Sequence, residues 1–144
     1  MTNDREQFGL MLDRATAEVR KEASDQQKFE ARFKAKSLRN FAPLWRTLKV
    51  VDRELRKRNI GSVEKDTEVP YEEKFTAKFS AIYRFKKSGE DFPIIFEFDT
   101  PEMLSIYLMS RSARPFKFSI DEIESAKEAL MTWASIYFRS AEAA

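Results

Sequence analysis

The sequence predicts an α+β fold: N-terminal helices, a mostly antiparallel sheet of three to four strands, and a C-terminal helix packed on that sheet. Three observations carry this expectation. Between Lys74 and Lys87 an aromatic residue or Ala occupies each odd position from Phe75 to Phe85, with Lys74, Lys78, Arg84 and Lys86 on even ones, the period of a half-buried strand. Upstream of that stretch, apolar residues recur every three or four positions, as on one face of a helix. Downstream, Ser119 and Glu122 form a capping box ahead of a strongly amphipathic run.

The 144 residues suit a single domain that buries about two thirds of its unfolded surface. We divide it into a helical arm, 1–38, and a core, 39–144. In the arm, Phe8, Met11, Leu12, Ala15, Val19, Ala23, Phe29 and Phe33 trace a thin, Ala-rich stripe, suited to lying on a domain or to pairing with a second copy. Ser24 with Gln27 fits a capping box at which the helix would restart. A second helix is expected from Asn40, as its N-cap, with Pro43 in the first turn, to Gly61 as a left-handed stop. Its buried face is Phe41, Leu44, Trp45, Leu48, Val51 and Leu55.

A polar connection from Ser62 to Glu73 follows, with room for a short strand near Val69. The alternating strand then turns at Ser88-Gly89-Glu90-Asp91 into a hairpin. A tight turn there pairs Phe85 with Ile94, Tyr83 with Phe96 and Ala81 with Phe98, all on one side. Residues 101–110 fit a third strand from Met103 to Met109, and a helix starting at Pro101 is the alternative. Phe116 and Phe118 around Lys117 mark one more short strand. The last helix runs through Ile120, Ile123, Ala126, Leu130, Trp133, Ala134 and Tyr137.

The aromatic side of the hairpin is expected to be core. Exposing Phe75, Phe79, Tyr83, Phe85, Ile94, Phe96 and Phe98 together would forfeit on the order of 10 to 20 kcal/mol, more than a domain's usual net stability. A base-stacking platform is therefore disfavoured, while a ligand pocket enclosed by the aromatics looks the same as a filled core at this level.

With neither His nor Cys, the chain lacks the parts for catalytic triads, thiol chemistry and the usual zinc sites. Its three glycines, Gly9, Gly61 and Gly89, are too far apart for phosphate-cradling loops. Glu97 and Asp99 are the best carboxylate pair, with Glu72 or Glu73 as neighbours. They lack a third ligand or a following Lys, so a structural role is expected and no enzyme, metal or cofactor is assigned. The acidic start MTNDREQ does not read as a secretory signal, and Met103–Met109 is too short to span a bilayer. A cytoplasmic protein is expected.

Charge is unevenly distributed although the net charge is only +2. Residues 1–27 hold 4 basic and 6 acidic side chains, residues 28–65 hold 12 and 4, and residues 66–144 hold 10 and 14. On a helical wheel Arg46, Lys49, Arg53, Arg56 and Lys57 form one stripe away from the buried face. Its Arg content suits bidentate contact with phosphate or carboxylate. This pattern predicts a binding module for nucleic-acid phosphates, with Lys74, Lys78, Arg84 and Lys86 as a secondary face. The alternative is a protein-interaction module, docking on an acidic partner or forming a homodimer through the N-terminal helix.

Overall fold

The computed structural model describes residues 3–66, 77–109 and 113–143. One long helix, α1 (Asp4–Lys57), leads into a five-stranded antiparallel meander. Its strands are β1 (Gly61–Asp66), β2 (Ala77–Phe85), β3 (Asp91–Thr100), β4 (Met103–Leu108) and β5 (Phe116–Ser119), hydrogen-bonded in that order. A 3-10 turn, Ile120–Glu122, opens α2 (Ile123–Ala143). The class is the expected α+β with a C-terminal helix on the sheet, but the sheet has five strands, not three or four. The chain divides into two compact units, residues 1–32 and 33–144.

Two N-terminal helices were expected where one is found. The stretch around Ser24 is rich in Ala, Gln, Glu, Lys and Arg, whose straight side chains sustain a helix through a capping signal. Asn40 does not cap: its Nδ2 donates to the Pro101 carbonyl at 2.6 Å, tying the helix to the β3–β4 turn. Pro43 sits inside the helix, where its missing N–H removes one ladder bond. The helix also stops before Gly61. Asn59 takes the left-handed conformation (φ 57°), its N–H bonding the Arg56 carbonyl while Ile60 N–H bonds that of Leu55. These two bonds make a Schellman stop with Asn in the place that Gly usually takes.

The hairpin register also differs from expectation. Tyr83 pairs with Phe92, Ala81 with Ile94, Phe79 with Phe96 and Ala77 with Phe98, so β3 has slid four places past β2. The turn is one helical loop, closed by Gly89 at φ 67° with its N–H on the Phe85 carbonyl. Because the slip is even, each side chain keeps its face. Pro93 fits within β3 because its carbonyl already points to Met109 N–H at the end of β4, where a missing N–H loses no regular ladder bond.

Both α2 and the 33–57 part of α1 pack on one side of the sheet. Phe41 stacks on Phe79 with centroids 4.2 Å apart and meets the edge of Phe96, while Tyr137 stacks on Phe92 at 4.6 Å. Leu44, Leu48, Ile94, Phe96, Ile106 and Leu130 have no solvent exposure. The aromatic side of the hairpin is thus a packed core wall. The expected strand near Val69, and Lys74, Phe75, Glu72 and Glu73, lie outside the described residues.

Candidate nucleic-acid interface

The C-terminal part of α1 presents two chemically different sides. Leu44, Leu48, Val51 and Leu55 are buried, which forces residues on the opposite side into solvent. Arg46, Lys49, Arg53, Arg56 and Lys57 are all exposed there. Lys49, Arg53, Arg56 and Lys57 line one open hollow with Asp52. Arg46 lines the next one, with Pro43, Thr47, Val50 and Lys127. From Arg46 to Lys57 the row extends about 16 Å along the helix axis at 1.5 Å per residue.

Not all five cations are equally free. Asp52 Oδ1 accepts from Arg56 Nε at 2.8 Å and from Val63 N–H at 2.8 Å, so one carboxylate holds both the arginine and the start of β1. That hydrogen bond, with the charge of Asp52, raises the Arg56 guanidinium above its ordinary range. Arg46, Lys49, Arg53 and Lys57 form no ion pair among the described residues. The neighbouring pair Arg58–Glu54, at 3.6 Å, leaves that row untouched.

The expected secondary face is placed differently. Arg84 and Lys86 share a hollow with Arg56, Ser62 and Asp91 near the hairpin turn, so α1 and β2 do bring cations together. There, however, Arg84 bridges Glu64 at 2.5 Å and Asp91 at 3.2 Å, and Lys86 donates to the Asn59 side chain. With Asp52 on Arg56, each arginine at this hollow faces a carboxylate. Lys78 is half-buried and stands across from Glu97 in the ladder.

The carboxylates do not assemble into a reactive centre. Glu97 is buried on the sheet side away from the helices, and exposed Asp99 accepts from Ser105 Oγ at 3.1 Å. Among the described residues no group of three acidic side chains is placed to hold a metal ion, and no helix is long and apolar enough to cross a membrane.

One feature was missed in the sequence. The Val50 side of α1 and the Met131 side of α2 border an open, mostly apolar groove of about 530 Å³, lined by Leu55, Ile60, Ala134 and Phe138 and also by the paired Glu54 and Arg58. Val50 lies just off the buried stripe, and Met131 lies between Leu130 and Trp133. Only the placing of α2 beside α1 turns them into neighbours. Compared with protein-family models, with curated proteins and with solved structures, the chain matches none.

Proposed function

We propose that this protein is a non-enzymatic, cytoplasmic binding module that engages nucleic-acid phosphates through the cationic row of α1. One observation carries the reading: Arg46, Lys49, Arg53 and Lys57 stand exposed on one flank, outside every ion pair of the described residues. Unpaired guanidinium and ammonium groups bind phosphate without first breaking an internal bridge. Arg56, held by Asp52, contributes less.

The test is binding to duplex DNA across a range of salt. Four phosphate contacts give a slope of log affinity on log salt of about −3.6, at roughly −0.9 per contact. The double variant Arg46→Glu/Arg53→Glu should lose this binding while keeping the wild-type circular dichroism spectrum. An affinity that does not change with salt would overturn the proposal.

A second reading, homodimerisation through the N-terminal helix, rests on a separate observation. Phe8, Leu12 and Val19 are 60%, 50% and 63% exposed. They belong to one stripe, and such a stripe of large side chains marks an interaction surface more often than scattered apolar residues do. An acidic protein partner on the cationic row is the remaining form of the interaction-module reading, and the salt experiment with DNA separates it from the first.

A further inference from the structure

The homodimer reading leaves open what the arm meets, and the inference drawn here rests on that reading. The groove between α1 and α2 has an apolar floor that includes Val50, Leu55, Met131 and Phe138. Val50 and Met131 are 51% and 47% exposed. Of its charged lining, Glu54 and Arg58 pair with each other at 3.6 Å; beyond Val50 on α1 follow Lys57, Arg46 and Arg53, so the outer edge of this groove is cationic. The occupant it fits is a helix with an apolar stripe and an anionic edge.

The chain itself carries such a helix. Along residues 4–25 the stripe of Phe8, Leu12, Ala15 and Val19 is flanked on one side by Asp4, Glu18, Glu22 and Asp25, with Arg14 beyond them, while Arg5 and Arg20 fall toward the other. All four acids are exposed and form no ion pair among the described residues. We propose that the arm of a second copy docks in the α1/α2 groove. With the stripe facing the floor, the acidic edge meets Arg46 and Arg53 only if the arm runs antiparallel to the 33–57 part of α1. Reciprocal exchange of two arms gives a two-fold, self-complementary dimer.

The experiment is sedimentation velocity on the full chain over a wide concentration range, with a thermal melt of each variant to show that it folds. The wild type should dimerise. Leu12→Glu in the arm, and Met131→Glu or Val50→Glu in the groove, should each raise the dimer dissociation constant about tenfold or more. Glu18→Lys/Glu22→Lys and Arg46→Glu/Arg53→Glu should each weaken the dimer, and all four changes in one chain should restore it. If Leu12→Glu abolishes the dimer while both groove variants leave it intact, arm pairs with arm: the homodimer reading stands and the groove is not its receptor. A wild type that is monomeric at every concentration removes both.

Discussion

Tyr83 shows how one side chain ties the helical layer to the sheet. Its ring has no solvent exposure, and its hydroxyl donates to the Leu130 carbonyl of α2 at 2.9 Å. Burial pushes the phenol far above its ordinary value, and Tyr137 nearby adds to the shift. A value raised in the folded state means that the folded protein holds its proton more tightly. The stability so gained is complete below the unfolded value of about 10 and is lost as pH rises toward the folded one. Tyr83→Phe should therefore cost about 1 kcal/mol at neutral pH, the usual net worth of a hydrogen bond, and flatten the alkaline fall in stability. Urea titrations at neutral pH and above about pH 10 check both effects, and an equally steep alkaline loss in the variant would assign that loss to another group. The sequence marked Tyr83 as core through its odd position. It carried no sign of the Leu130 carbonyl, which comes near only once α2 has packed. Asp52 is similar: its spacing of four from Arg56 was legible, its hold on Val63 was not.

Among the elements, those with strong local periodicity were legible and those defined by a neighbour were not. The alternation of β2, the Phe-rich β3 and the capping box before α2 read directly, and Ser119 N–H does bond Glu122 Oε1 at 3.0 Å. The strand β1 escaped because an edge strand of sequence GSVEKD buries little: Val63 turns inward, while Lys65 lies over Trp45 with its Nζ 5.9 Å from the ring centroid. Gly61 was read as a helix stop, but its role belongs to the sheet. A Cβ at that position would lie 2.3 Å from the Arg84 carbonyl oxygen on β2. Gly61→Ala must push the first residues of β1 away from β2, and overpacking of this kind costs about 1 to 3 kcal/mol. The urea midpoint should drop well below that of a Ser62→Ala control. A drop no larger than the control's would mean that the two strands separate there without strain.

At the scale of the molecule, the charge blocks could be read from the sequence, but their meaning depended on pairing in three dimensions. Of the cations singled out in advance, Arg56, Arg84 and Lys86 bond to the protein's own side chains, whereas Arg46, Lys49, Arg53 and Lys57 form no ion pair among the described residues. Three of these, Arg46, Arg53 and Lys57, belong both to the proposed phosphate row and to the cationic edge of the groove. If one edge serves both, a bound arm and a bound duplex exclude each other, and thermodynamic linkage makes the exclusion reciprocal. Duplex DNA at saturating concentration should then raise the dimer dissociation constant, and dimer should lower the apparent DNA affinity by the same factor. The variant Leu12→Glu, with its arm released and one negative charge added, should bind DNA more tightly than the wild type at concentrations where the wild type is dimeric. Both can be followed by sedimentation of a labelled duplex against increasing protein. A dimer that binds the duplex as tightly as the monomer does would separate the two surfaces, placing phosphate contact on Lys49 and its neighbours away from the groove edge.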